Sequence, residues 1–345
     1  MFLFLLLASC YEPCSNSGSN VSGQTPETTQ NTQALASPDN KGDEHIDAHF
    51  SFEETLQFVD TELSPRDLLK QLEAHAHDVS SFKPVGTSSI VFRVELDNDL
   101  RAAFKPSTDT RRSSYQREVA AYRLAEYLGM ANVPPATLVA YDRQTLSKKL
   151  DPDYRDIWKD LEDQLIWNDN DQVKGALIYW IDEMRPAEFE EVSGSTDWQQ
   201  WLSLNANIDP EVQSLAQDLG SMLVFDYLIG NWDRFSGGNF KFNPSRTRLL
   251  LLDHNSAFGV PFKDKVHDRV LKRLKMTQTF SKTQIGLLKE LDQKKLSALM
   301  QIEHNKNLLL SDWQLRKVLD RRATILSYVD SLITLHGENK VFRFP

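Results

Sequence analysis

Asn231-Trp232-Asp233-Arg234-Phe235-Ser236-Gly237-Gly238-Asn239, followed by Leu251-Leu252-Asp253-His254-Asn255, is the stretch on which the reading of this chain turns. It offers an Asp, an Asn six positions on, and a second Asp after the apolar run Leu249-Leu250-Leu251-Leu252. Phosphoryl transfer is mostly positioning and charge neutralisation. It needs one carboxylate near the attacking hydroxyl, and an amide plus a carboxylate to hold a metal on the phosphates. Asp233, Asn239 and Asp253 are those residue types in that order. Each has a plainer reading: an isolated Asp after a helix is commonly a cap, and a carboxylate ending an apolar strand is costly unless it caps a turn or meets a cation. Together the three form a specific signal.

Upstream, Lys105 follows the apolar run Ala102-Ala103-Phe104. A lysine there can point into a cleft and contact α/β-phosphates, although a surface lysine at a strand end is the commoner fate. Glu118 lies beside the apolar positions of the next helix, and a carboxylate facing a core wants a cation. Lys105 is well placed to be it. Val85-Gly86-Thr87-Ser88-Ser89 reads as a turn between two strand-like runs. Gly86, Ser88 and Ser89 suit phosphate cover through amides and hydroxyls; an ordinary hairpin is the alternative.

The surrounding pattern gives the elements. Ser64-Pro65 starts a helix with Leu68, Leu69 and Leu72 on one face. Ile90 to Glu95 and Arg101 to Lys105 read as strands. Tyr115 to Leu128 reads as an amphipathic helix carrying Val119, Tyr122, Leu124 and Leu128, ended by Gly129. Val133 to Ala140 is extended. Residues 142–173 are polar and acidic, an insertion or a long hairpin. Gly175 to Ile181 is a buried strand that leaves through a loop at Asp182 to Pro186. Beyond it the chain is mostly helical: Pro210 to Ile229 broken at Gly230, then Lys282 to Gln301 and Ser311 to His336.

At these residues the chain resembles the atypical protein-kinase-like clan, in particular the four-jointed and Golgi secretory-pathway kinases and the actin-fragmin kinase, with phosphoinositide 4-kinases more distant. Phe104-Lys105-Pro106, Arg117 to Leu124 and Val133-Pro134-Pro135 are similar to the clan's N-terminal signature. Phe225 to Arg234 is similar to its catalytic-loop entry, and Leu252-Asp253 to its metal-binding Asp. The resemblance covers roughly 82–340. It implies an α+β, two-lobed protein-kinase-like fold, with a small β-rich N-lobe (49–185, insertion 142–173) and a larger, mostly helical C-lobe (186–345). It also implies ATP and Mg or Mn as cofactors, Lys105 on the α/β-phosphates, Glu118 pairing with it or assisting the metal, Asp233 as base, and Asn239 and Asp253 as metal ligands. The clan more often spaces the Asn five residues after the Asp, and Asp253-His254-Asn255 stands where Asp-Phe-Gly is usual.

The expected activity is transfer of the ATP γ-phosphate to a hydroxyl acceptor, a protein Ser/Thr first. A sugar or lipid headgroup, nucleotide transfer, and an inactive kinase-fold binding module are the alternatives. The charged set Lys105, Glu118, Asp233 and Asp253 argues against the inactive module. The net charge of −10 argues against nucleic acid as a partner. His45/His49 and His75/His77 read as solvated rather than metal-bound.

The first residues carry an address. Phe2 to Ala8 is too short to span a bilayer and reads as a signal-peptide core. Leu7-Ala8-Ser9-Cys10 resembles a bacterial lipobox, with Cys10 as the lipidated residue and 1–10 as the signal segment. No Lys or Arg precedes the run, which points to a start assigned too late; a short apolar tail with Cys10 and Cys14 free or paired is the plainer reading. Residues 11–48 are polar and Pro/Gly-rich and read as a disordered tether. The expected location is the bacterial cell envelope, lipid-anchored at the periplasmic face or cell surface. Both cysteines lie in this leader, so the body has no Cys nucleophile, Cys-ligated zinc or disulfide framework.

Overall fold

The computed structural model describes residues 57–86, 89–97, 99–109, 114–187, 197–235, 238–259, 264–302 and 307–345. The expectations for Cys10, for the leader and tether over 1–48, and for Ser88 lie outside them. Helix α1 (Pro65–Ala74) opens on Ser64, whose side chain accepts from the Asp67 amide, with Pro65 in the first turn. The strands that follow are β1 (Val79–Pro84), β2 (Phe92–Leu96) and β3 (Arg101–Pro106). Helix α2 (Tyr115–Tyr127), β4 (Ala136–Asp142), α3 (Arg143–Lys149), α4 (Trp158–Glu162) and β5 (Gln172–Tyr179) complete the sheet-rich part.

The five strands form one antiparallel sheet in the order β1-β2-β3-β5-β4. Its two faces follow from the period of two. β3 buries Ala102 and Phe104, while Arg101, Ala103 and Lys105 on the other side are half-buried. On the Phe104 side an aromatic cluster fills the space, with Phe104 and Tyr141 edge to face at 4.8 Å and Phe82 and Tyr141 at 5.0 Å. Leu72 of α1 and Leu146 of α3 pack into the same cluster. On the other side, Ala136 and Ala176 of the sheet share a core with α2.

Helix α2 is not the amphipathic helix expected. Val119, Ala120, Ala121, Tyr122, Leu124 and Ala125 are all buried, and so is Glu118. A helix held between a sheet and a helical body has no solvent stripe to keep polar. The 142–173 segment also differs from a simple hairpin. β4 and β5 are antiparallel neighbours, but the connection is a helical excursion through α3, a 3₁₀ turn at Pro152–Ile157, and α4. Arg143 fastens its base, meeting Glu162 and Asp171 at 2.7 Å each and lying over the Trp167 ring at 4.2 Å.

The remainder is mostly helical: β6 (Arg185–Pro186), α5 (Asp197–Trp201), α6 (Gln213–Ile229), β7 (Phe240–Phe242), β8 (Leu249–Leu251) and α7 (Asp264–Leu274), then β9 (Phe280–Ser281), α8 (Lys282–Glu290), α9 (Gln293–Leu299), α10 (Asp312–His336), α11 (Glu338–Val341) and β10 (Phe342–Phe344). Two expectations are corrected here. The loop at 182–186 ends in β6, which pairs with β7 in a small antiparallel sheet, β6-β7-β8. The single helix expected over Lys282 to Gln301 is two, because Leu291 leaves helical geometry and Asp292 caps α9 through the Lys295 amide. Helix α6 starts at Gln213, after a 3₁₀ turn at Pro210–Val212, and is buried on nearly every side. Among the described residues, no helix is long and apolar enough to cross a membrane.

Candidate active site

Three elements bring Lys105, Glu118 and Asp253 together. Lys105 reaches from β3 to Glu118 on the first turn of α2, with Nζ to Oε1 at 2.6 Å, and to Asp253 Oδ1 at 3.2 Å. Asp253 follows β8 directly. Glu118 is 4% exposed and Lys105 15%, whereas Asp253 is 41% exposed and faces the cleft. The His254 amide donates to both Glu118 oxygens at 3.1 Å. A buried carboxylate with an ammonium and amide donors on it is a satisfied ion pair. Burial alone would raise the Glu118 pKa, but the Lys105 ammonium and the His254 bonds outweigh it and hold the carboxyl well below the usual range. Burial likewise pulls Lys105 down, and the Glu118 and Asp253 carboxylates more than reverse this. Burial pushes the His254 imidazole down, against the opposing pull of the Glu118 carboxylate. Its Nδ1 lies 3.3 Å from Glu118 Oε2, which fixes the proton on Nδ1, and Nε2 is buried with no partner among the described residues.

Asp233 arrives from the other side of the cleft. Helix α6 stops at Gly230, which takes φ +67°, and the Asn231 side chain accepts from the Asp233 amide at 3.1 Å. Alanine at 230 would be strained by that φ, and its Cβ would stand 2.8 Å from the Arg321 guanidinium, which donates to the Leu228 carbonyl at the end of α6 and would have to shift. The Asp233 carboxylate accepts from the Ser256 hydroxyl at 3.2 Å, so it is tied to the segment after Asp253. Asn239 is tied back to the same loop, its amide nitrogen donating to the Asp233 carbonyl at 3.0 Å. Gly238, at φ +80°, provides the turn that brings it there despite the longer spacing. Asp253 itself has φ +49°, a left-handed conformation uncommon for a side chain larger than glycine.

An apolar cavity of about 150 Å³ adjoins this charged group. Ala103, Val133, Ala136, Ile178, Met184 and Leu251 line it, and Lys105 and Asp253 stand at its polar end. An apolar slot with a few convergent polar groups is the usual form of a small-molecule site. Among the described residues, Gly86 and Ser89 do not line it. Gly86 sits in a tight turn where a Cβ would fall 1.9 Å from the Ser89 carbonyl, which accounts for the glycine by itself.

The donor set fits a hard divalent cation only in company. No group of three or more His, Cys, Asp or Glu residues able to hold a metal is present among the described residues. Asp253 and Asn239 offer one carboxylate and one carboxamide oxygen, the kind of partial set that suits a metal sharing its shell with water and substrate phosphates.

Several contacts around the site carried no readable signal. Asp226, inside an apolar helix, is buried and pairs with the fully buried Arg234. Arg117 donates to the Asn255 carbonyl at 2.6 Å, joining α2 to the segment after Asp253. Asp226 in the apolar run of α6 was the available hint, since a carboxylate there needs a cation; the partner's identity had no local cue.

Residues 92–257 match the family described as the four-jointed box protein middle domain, and 203–341 the family described as the Golgi casein kinase, C-terminal, Fam20. Over 49 residues the chain is 47% identical to the "Extracellular serine/threonine protein CG31145" of Drosophila melanogaster, a match spanning 14% of this chain and 9% of that protein. The crystal structure of the Golgi casein kinase with Mn/ADP bound aligns with a TM-score of 0.58 at 17% identity, over 81% of this chain and 80% of the other. The structure of hydra Fam20 with sugar aligns at 0.59 and 17% identity, over 82% and 93%. The sheet-rich first part and helical second part are the fold these structures share.

Proposed function

Since the chain belongs to the atypical kinase-like family of Fam20 and four-jointed proteins, we propose that it transfers the γ-phosphate of ATP to a protein Ser or Thr hydroxyl, using Mn or Mg. The observation that carries the reading is the buried Lys105–Glu118 pair with Asp253 at 3.2 Å from the same ammonium, beside an apolar slot. A structural ion pair has no need of a third, half-exposed carboxylate.

In this reading the apolar slot takes the adenine, and Lys105, held in place by Glu118, donates to the α/β-phosphates. Asp253 and Asn239 hold the cation. When bound, the cation neutralises charge on the phosphates. Asp233 orients the acceptor hydroxyl and takes its proton as that oxygen bonds to the γ-phosphorus and the bond from phosphorus to the β–γ bridging oxygen breaks, releasing ADP. The acceptor oxygen must displace or share the Ser256 hydroxyl on Asp233, since that contact covers Oδ2. We assign nucleotide binding to the N-lobe, 49–185, and acceptor binding to the C-lobe, 186–345, with the 142–173 excursion. We also place the protein on the extracytoplasmic side, anchored to the bacterial envelope through Cys10. The name of the Drosophila relative supports an extracellular site of action, and the lipobox-like leader supports the anchor.

The test is label transfer. The purified chain is incubated with Mn and either γ- or α-labelled ATP, with secreted proteins as acceptors. Label on Ser or Thr from the γ-position alone supports the reading. Label from the α-position makes the protein a nucleotidyltransferase. No transfer to protein, with label appearing on a sugar or lipid headgroup, replaces the acceptor class.

A further inference from the structure

Arg234 follows the proposed base, and its side chain is completely buried. A guanidinium cannot be deprotonated at ordinary pH, so every donor must be met. Nε lies 3.0 and 3.2 Å from the two Asp226 oxygens, and Nη2 lies 3.0 Å from Oδ1, a forked ion pair with α6. Nη1 faces the opposite way. It donates to the Asn239 carbonyl and to the Leu252 carbonyl, each at 2.5 Å. Asn239 is one candidate metal ligand, and Leu252 immediately precedes the other. The Leu252 amide in turn donates to Asn239 at 2.8 Å. One rigid planar group therefore fixes three segments: the end of α6, the loop carrying Asp233 to Asn239, and the strand end carrying Asp253. Asn231 contributes a weaker bond to Asp226 at 3.4 Å.

We infer that Arg234 is a positioning residue for the cation: it sets the separation of Asn239 and Asp253 and locks both to the base. The inference rests on the kinase reading above. It differs from a general stabilising role, because another Arg–Asp pair in the same part of the fold offers a comparison. Arg248 makes the same forked contact with Asp218 on α6, at 2.7 and 3.0 Å, and donates to neither Asn239 nor Leu252. A lysine at 234 keeps the charge, but a single ammonium cannot serve a carboxylate and two carbonyls on opposite sides.

The experiment compares wild type, Arg234→Lys and Arg248→Lys, with Asp226→Asn as a second way to unseat Arg234. Two quantities are read: amide hydrogen exchange over 239–253 without metal or nucleotide, and the Mn concentration giving half of the ATP-dependent rise in melting temperature. In Arg234→Lys and Asp226→Asn the Leu252 amide should exchange faster, and the Mn requirement should rise about 10- to 100-fold, the usual effect of losing a residue that orients metal ligands. Arg248→Lys should lower the melting temperature and leave both quantities at wild-type values. An unchanged Mn requirement in Arg234→Lys, or an equal rise in Arg248→Lys, overturns the inference while the kinase reading stands. A wild type with no Mn-dependent response to ATP overturns both.

Discussion

Replacing Lys105 with methionine keeps the volume on β3 and removes the cation from Glu118. The carboxylate stays buried, at 4% exposure. Removing one partner from a buried pair costs about 3–5 kcal/mol. Glu118 retains the His254 amide at 3.1 Å from each oxygen, so the low end applies, about 3 kcal/mol. For a body longer than about 250 residues each kcal/mol moves the melting temperature by slightly under about 2 °C, which gives a fall of about 5–6 °C. The pH dependence carries the sign. In wild type, Glu118 lies below its ordinary 4.5, so its contribution is full above pH 4.5 and is lost as pH falls through the lower folded value. In Lys105→Met burial becomes the larger influence and raises the carboxyl above 4.5. The deficit against wild type is then full above that raised value and shrinks as pH falls through it. Calorimetric melts of the ligand-free protein from pH 8 to pH 4 read both effects, and Lys105→Met/Glu118→Gln should recover most of the loss at pH 7. A single variant that melts like wild type at pH 7, or a deficit that widens toward acid, would refute the reasoning.

Three further outcomes are expected. Asp233→Ala should bind ATP and Mn like wild type and transfer no phosphate; measurable transfer removes Asp233 from its role as base. Gly230→Ala should lose about 1–3 kcal/mol, because a left-handed φ of +67° and a 2.8 Å approach to Arg321 both oppose a Cβ; denaturant unfolding checks it, and a neutral result would show that α6 ends without that constraint. Cys10→Ser should move the protein from membranes to the soluble envelope fraction, and unchanged fractionation would defeat the lipid anchor.

The parts of the fold legible in the sequence were those with local causes. The Ser64 cap, the alternation in β3 and the stop at Gly230 each depend on neighbours within a few residues. Lys105, Glu118 and Asp253 were legible because charge next to an apolar run asks for a partner, and the structure brings these three into one cluster. Helix α2 misled because its burial comes from two sides, the sheet and the helical body, and no periodicity within 13 residues records a second surface. The break at Leu291 was missed because Asp292 resembles any surface acid until its amide partner at Lys295 is seen. The contacts of Arg234 were beyond reach for a related reason. They run to backbone carbonyls at 239 and 252, and a carbonyl leaves no mark on the choice of side chain.

The measurement that bears most directly on the account is thermal unfolding of the purified chain with ATP, with Mn, and with both, repeated for Asp253→Ala. A ligand at about 100 times its dissociation constant stabilises by roughly 2.7 kcal/mol, an easily resolved rise in melting temperature. The account predicts a rise that needs ATP and Mn together and is absent in Asp253→Ala. No rise in the wild type, or one that persists in Asp253→Ala, would contradict it and leave Asp253 as the cap of a turn.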